Sequence, residues 1–367
     1  MTGIGDRTGP AALRKGAARL TSDLARVIDV VAFQGTACAE SSPVYGRVLD
    51  AVVVDLRAQG VCAELLTGRG DDPLGSALAL RFLGALHRIV LEGRAPDLAA
   101  FYPSVGGNDT GDPGPVFLET VRQHRDEVSG RIDDGVQTNE VGRAAVLVGG
   151  YASVARRTGL PLRVLEVGAS AGLNLRWDHF AYDTGRVVAG DPDSPVRFER
   201  VWEGEPPELP RTFDVAERAG CDRNPLDATT PDGRLTLMRY VWPDQLDRFA
   251  RLDAAIEVAR RVPAVVDEAD AADWVAERLA DPTPSLATVV VHSIVLQYLS
   301  HAARQRFREA VRSAGARATA GAPLAWLRME PGGDRAEVRL TTWPGGGERV
   351  VATAGYHGRP VWWGPST

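Results

Sequence analysis

The segment Leu165-Glu166-Val167-Gly168-Ala169-Ser170-Ala171-Gly172-Leu173-Asn174 constrains this chain more than any other stretch of similar length. A short apolar run ends on an acid and passes into a glycine turn, which predicts a buried strand, a tight loop and then a helix. Glycines let the backbone approach a ligand closely. The start of the following helix offers free N–H groups and the positive end of a dipole, a geometry that suits an anionic group on a cofactor. The competing reading is packing alone, a turn that needs small residues only to fit.

The periodicity changes on either side of this segment. From Ala17 to about Arg157 apolar residues recur at helical spacing: Leu20, Leu24, Val27, Val31; Val48, Val52, Leu56; Leu78, Phe82, Leu86, Ile89. Ser42 before Pro43 and Asp72 before Pro73 read as N-caps followed by proline in the first turn. Residues 1–14 read as a mobile tail and 15–157 as an all-helical N-terminal domain, interrupted by a Gly/Pro/Asp loop from Pro103 to Pro115 that is either disordered or a lid. After Thr158, apolar runs at Arg163–Val167, Pro263–Val266, Ala287–His292 and Pro323–Arg328 read as buried strands. They alternate with helical stretches at Leu235–Arg261, Ala271–Ala280 and His301–Ala314. That succession predicts an α/β domain over 158–367, a mostly parallel sheet with helices on both faces. Ala336–Thr342 and Glu348–Thr353 predict an antiparallel finish.

Composition removes several functions. A net charge of −6 over 367 residues gives no general reason to dock on nucleic acid or an anionic membrane. The longest apolar run, Leu286–Leu299, is too short to span a bilayer and contains His292 and Gln297. The first thirty residues lack the pattern of a secretory signal, so the expected location is the cytoplasm. Cys38, Cys62 and Cys221 form no paired spacing, and His87, His124, His179 and His301 have neither H-x-x-x-H spacing nor a nearby carboxylate pair, so no metal is expected. Lys15 is the single lysine among 42 basic residues, which excludes a P-loop and disfavours Schiff-base chemistry.

The glycine segment resembles the first motif of class I S-adenosylmethionine-dependent methyltransferases, an acid followed by alternate glycines at the end of the first strand. Here the pattern is Glu166, Gly168, Ser170, Gly172, with serine in place of the middle glycine. The resemblance implies S-adenosyl-L-methionine as cofactor, held by these four residues and Asn174. It further implies Asp222 at the end of the second strand as ligand of the ribose hydroxyls, and Asp270 with Ala271 beside the adenine. The interval from Gly172 to Asp222 is long for such a unit. Either residues 176–213 are an insertion, the preferred reading, or Asp191 is the second-strand acid. Over about Val31 to Trp363 the chain also resembles a bacterial family known as a domain of unknown function, through Phe101-Tyr102-Pro103-Ser104, Val136 to Arg143, Tyr240 to Gln245 and Trp326 to Pro331. That likeness implies an architecture and no reaction.

His292, following four apolar residues at a strand's carboxyl end, is the candidate general base, and Glu330 holds the equivalent place one strand later. Glu140 is a third catalytic candidate. Gln137 and Asn139 beside it, with Tyr102, Trp242, Asp244 and Arg328, are candidate substrate contacts. Helix capping competes for Asn139 and Glu140, a satisfied core position for His292, and core packing for Trp242. The expected function is an S-adenosylmethionine-dependent transferase, a methyltransferase acting on a small aromatic or cationic metabolite. Alternatives are transfer of another group from the same sulfonium, a non-catalytic metabolite-binding module, and a serine hydrolase. In the last, Gly168-Ala169-Ser170-Ala171-Gly172 is the nucleophile elbow, with Asp267 or Asp270 as orienter and His357 as base.

Overall fold

The structure, a computed structural model, describes residues 10–69 and 77–364, with side chains from Ser22 onward. Residues 1–9 of the expected tail and the Asp72-Pro73 cap lie outside the described residues. The chain divides into two compact units. One runs through Gln137 and includes Leu235–Phe249; the other joins Thr138–Arg234 to the chain from Ala250.

The first unit is helical: α1 (Pro10–Cys38), α2 (Pro43–Arg57), α3 (Val61–Leu66), α4 (Leu78–Leu91), α5 (Pro96–Ala99), α6 (Gly114–Gln123) and α7 (Arg125–Ile132). Ser42 caps α2 as its sequence predicts, its hydroxyl accepting from Tyr45 N at 3.2 Å with Pro43 in the first turn. Val48, Leu49, Val52 and Leu56 of α2 and Phe82, Leu86 and Ile89 of α4 are fully buried in one core with Phe117 and Val121 of α6. The Pro103–Pro115 stretch opens with a 3-10 turn, Pro103–Val105. Arg47 ties it to α2 by donating to the carbonyls of Thr110 and Gly111 at 3.0 and 2.6 Å.

The second unit begins with α8 (Ala144–Thr158), β1 (Leu162–Val167), β2 (Ala181–Asp183), β3 (Val188–Gly190), β4 (Arg197–Glu199) and β5 (Val215–Asp222). α9 (Pro231–Met238) and α10 (Leu246–Arg261) carry the chain out of this unit and back. Then follow β6 (Val265–Glu268), α11 (Ala271–Arg278), β7 (Ala287–Ser293), α12 (His301–Arg317), β8 (Leu324–Pro331), β9 (Ala336–Trp343), β10 (Gly347–Ala354) and β11 (Val361–Trp363). The eight-stranded sheet has the order β11-β10-β9-β8-β7-β1-β5-β6. β6, β5, β1, β7 and β8 are mutually parallel, and β9, β10 and β11 complete it antiparallel. Both faces are covered: the Trp326 ring meets Phe307 of α12 at 5.8 Å, while on the other face Leu327 packs against Gly150 of α8.

Three sequence expectations are corrected here. The stretch Leu235–Arg261 is not one helix: α9 ends at Met238 and α10 starts at Leu246, because Pro243 lacks an N–H and forces Trp242 out of helical conformation. α8, grouped by its period with the helical region, belongs to the sheet unit and packs on β7, β8 and β9. The glycine turn leads into a 3-10 segment, Leu173–His179, kinked at Arg176, and not into an α-helix. The 176–213 stretch contains a separate three-stranded sheet, β3-β2-β4, and the strand beside β1 is β5, which ends at Asp222.

Candidate functional site

From β1 the chain moves to β5 and β6 on one side, then returns to β7 and β8 on the other, so the strand order reverses at β1. Open parallel sheets bind ligands outside the carboxyl ends of their strands at such a reversal. Glu166 here pairs across to Gly220 of β5 and Val291 of β7, and Val167 to Cys221 and His292.

The loop that follows has three left-handed residues, Gly168 (φ 68°), Ser170 (φ 54°) and Gly172 (φ 65°). A Cβ on Gly168 would come within 2.5 Å of Val295, and one on Gly172 within 2.8 Å of Val266, so conformation and packing together demand these glycines. The N–H groups are spent inside the protein. Gly168 and Ala169 donate to the Cys221 carbonyl at 2.9 and 3.0 Å, Ser170 to Asp222 Oδ2 at 2.9 Å, Gly172 to the Ala169 carbonyl at 2.7 Å and Leu173 to Asn139 Oδ1 at 2.9 Å. Arg176 grips the loop carbonyls, donating to Gly172 at 2.6 Å and to Ala171 at 3.3 Å. The expected anion cradle of free N–H groups at a helix start is therefore absent at these five positions; the loop binds itself.

What this framework leaves unsatisfied is side-chain chemistry. Glu166 is 5% exposed, and among the described residues its Oε2 has no hydrogen-bond partner; the same holds for Oδ1 of buried Asn174. Burial pushes the Glu166 carboxyl up to about 8; Asp222 adds to the rise, and the charges of Arg176 and Arg143 oppose it. Asp222 accepts from Ser170 N at 2.9 Å through Oδ2 and from Asn224 N at 3.0 Å through Oδ1.

Glu140 caps the short turn Val141–Arg143 through Oε1, which accepts from Gly142 N at 3.0 Å. Its Oε2 lies 3.1 Å from Nδ1 of His357, a side chain 54% exposed. Asn174 Nδ2 donates to the Glu140 carbonyl at 3.1 Å, and Arg143 donates to the carbonyls of Ser293 at 3.1 Å and Tyr356 at 3.2 Å. The turn is thus fastened to the loop after β1 and to the end of β7. A buried carboxylate orienting a half-exposed imidazole is the arrangement of a positioned proton acceptor.

His292 sits differently. Its ring is wholly buried, Nε2 accepts from Trp326 Nε1 at 3.0 Å, and Nδ1 therefore carries the proton and donates to Glu330 Oε1 at 2.7 Å. Both nitrogens are committed, as in a satisfied core histidine. Glu330 Oε1 also accepts from the N–H groups of Val295 and Leu296 at 3.0 and 3.3 Å. Burial raises the Glu330 carboxyl, but the His292 bond and these two N–H groups outweigh it and hold it below the usual range. Asp270 is the N-cap of α11, accepting from Ala272 N at 3.0 Å and Asp273 N at 3.4 Å, with Ala271 buried behind it. Arg328 stacks on Trp326 at 4.1 Å and pairs with Glu348.

Of the substrate candidates, Asn139 belongs to this unit, while Gln137, Tyr102, Trp242 and Asp244 belong to the helical one. There Tyr102 and Trp242 stand 6.1 and 6.3 Å from the ring of Tyr45, and Asp244 Oδ2 accepts from Val44 N at 3.2 Å. Sequence reading missed Tyr45, Arg143 and Arg176, and met His357 only as part of a hydrolase. An arginine inside the apolar run Leu173–Trp177 was the one available signal.

Among the described residues no helix is long and apolar enough to cross a membrane. A family model described as "Uncharacterized protein conserved in bacteria (DUF2332)" matches residues 29–363. No curated protein and no solved structure matches the chain.

Proposed function

We propose that this chain, which belongs to the bacterial family DUF2332, is an S-adenosyl-L-methionine-dependent transferase, a methyltransferase acting on a small metabolite. The observation that carries the reading is the pair of unsatisfied buried oxygens, Glu166 Oε2 and Asn174 Oδ1, at the reversal of a parallel sheet whose next strand ends on Asp222. Buried polar atoms without partners cost about 1–3 kcal/mol each, a cost that a polar ligand relieves. Asp222 would meet the ribose hydroxyls from the end of that strand, and Glu166, protonated at neutral pH, has a proton to donate. The fit is by side chains, since the loop N–H groups are used internally. S-adenosyl-L-methionine, when bound, supplies an electrophilic methyl group on a sulfonium leaving group. The protein's share is positioning, exclusion of water and acceptance of a proton. We assign that proton to Nε2 of His357, which Glu140 orients, and not to His292, whose nitrogens are both occupied.

Isothermal titration with S-adenosyl-L-methionine and S-adenosylhomocysteine tests the reading. Saturable heat is expected, weakened about tenfold or more by Asp222→Ala for the loss of charged hydrogen bonds. No heat and no thermal shift at millimolar ligand would remove it. Diethyl pyrocarbonate should modify His357 and spare His292; the reverse order would return the base to His292.

One observation favours a second reading. Ser170 has φ 54° within Gly-x-Ser-x-Gly, as a strained nucleophile elbow requires. Against it, Asp267 accepts from Trp274 and Arg278, both at 2.7 Å, Asp270 caps α11, and His357 is bound to Glu140. Covalent labelling of Ser170 by a fluorophosphonate would overturn that objection.

A further inference from the structure

The helical unit holds a polar cluster that its own packing does not explain. Tyr45 and Tyr102 are 1% and 0% exposed, and among the described residues neither phenolic oxygen has a hydrogen-bond partner. Asp244 uses Oδ2 on Val44 N, while its Oδ1 is buried and likewise without a partner. The rings are set at angles: Tyr102 stands at 72° and Trp242 at 57° to Tyr45. Tyr45 and Tyr102 are buried, and Trp242 and Asp244 beside them half-buried.

The charge balance is the telling feature. Asp244 forms no ion pair among the described residues. His87, whose ring lies 5.4 Å from that of Tyr102, is pushed down to about 3 by burial; its Nδ1 lies 3.3 Å from the Arg239 carbonyl and its Nε2 3.0 Å from Ser104 Oγ. Burial raises the thiol of Cys38 and both phenols, with the Asp244 charge adding to each rise, so all three are neutral. A lone carboxylate, two neutral phenol oxygens and three inclined aromatic rings lack one thing, a positive charge with apolar substituents. Such a charge gains from ring faces and carboxylate at once.

The geometry points to a binding site for a small alkylammonium ion, made by Tyr45, Tyr102, Trp242 and Asp244. The site stands on the helical unit alone and holds whether or not the sheet unit binds S-adenosyl-L-methionine.

Choline and n-butylammonium chlorides, titrated into the full chain and followed by Trp fluorescence and calorimetry, are the probes. The uncharged isostere of choline, 3,3-dimethylbutan-1-ol, is the control. At least one cation should bind saturably, and the alcohol should bind about tenfold more weakly or worse, as expected for a desolvated charge against ring faces and a carboxylate. Asp244→Asn should weaken the cation about tenfold and leave the alcohol unchanged. Tyr102→Phe keeps the ring and removes one orphan oxygen, so its circular dichroism should match the parent while affinity falls by a smaller factor. Equal binding of alcohol and cation, or no saturable binding of either cation at tens of millimolar, overturns the site. Asp222→Ala should leave cation binding intact, which separates this outcome from failure of the transferase reading.

Discussion

Glu166 and Glu330 are the same residue in the same sheet, each near the carboxyl end of a parallel strand, and the protein treats them oppositely. Glu330 receives three donors on one oxygen, from His292 Nδ1, Val295 N and Leu296 N, and is held in its charged form. Glu166 receives none on Oε2, is more deeply buried, and is held in its neutral form up to about pH 8. The difference teaches which carboxyl is structural. Each leaves its Oε2 buried and without a partner among the described residues, so the distinction rests on charge and place: Glu330, held charged by three donors on Oε1, is a tie, whereas Glu166, neutral and at the sheet reversal, is available to a ligand.

The largest effect that tests this contrast is Glu330→Ala. It leaves three donors without their acceptor and His292 buried without its carboxylate, at a cost of about 3–5 kcal/mol. Urea denaturation at pH 7 measures it, and Glu330→Gln, which keeps an acceptor oxygen, should lose distinctly less. A loss below about 1 kcal/mol for the alanine variant would deny Glu330 its structural part. The next effect has the opposite sign. Glu166 binds a proton in the folded chain up to about pH 8, against an unfolded value of 4.5. Between those values the folded state holds more protons than the unfolded, so stability falls as pH rises through that window. From pH 5 to pH 8 the fall is on the order of 3 kcal/mol. Glu166→Gln, a permanent mimic of the neutral form, should abolish that fall and be the more stable protein at pH 8. Parallel stability–pH profiles for the two proteins would contradict the assignment.

The contrast also explains what was legible in the sequence. Strand positions were, because a strand buried on both faces reads as a continuous apolar run: Ala287–His292 against the observed Ala287–Ser293, and Arg163–Val167 against Leu162–Val167. The place of Asp222 at the end of the strand beside β1 was read correctly through a fifty-residue interval, since the Asp191 segment went into a separate small sheet. The partners of the polar groups were not legible. Trp326, which occupies His292 Nε2, lies 34 residues away and on the neighbouring strand, and His357, which meets Glu140, lies 217 residues away. Nothing in local pattern distinguishes a histidine that will be saturated from one that will face a ligand. The segment after Gly172, expected as a helix, is likewise tied by a distant partner: Asn139 Oδ1, supplied from before β1, accepts from the Leu173 N–H.

The smallest effect bears on His292 itself. Trp326→Phe keeps an aromatic ring against Phe307 and under Arg328 but removes the indole N–H, leaving Nε2 of a fully buried imidazole without its donor, at a cost of about 1–2 kcal/mol. Because Trp326 and Glu330 act on the two nitrogens of one ring, their effects cannot be independent. Once Glu330→Gln has removed the charged acceptor that fixes the Nδ1–H tautomer, the ring can turn its proton toward the vacated side, and the second substitution should cost less than it does alone. A double-mutant cycle of Trp326→Phe with Glu330→Gln should therefore give a coupling energy of about 0.5–1.5 kcal/mol, with affinity for S-adenosyl-L-methionine unchanged throughout. Strict additivity within about 0.3 kcal/mol, or loss of that affinity in the single Trp326→Phe variant, would mean that His292 is no mere tie and that the distinction between the two glutamates has been drawn in the wrong place.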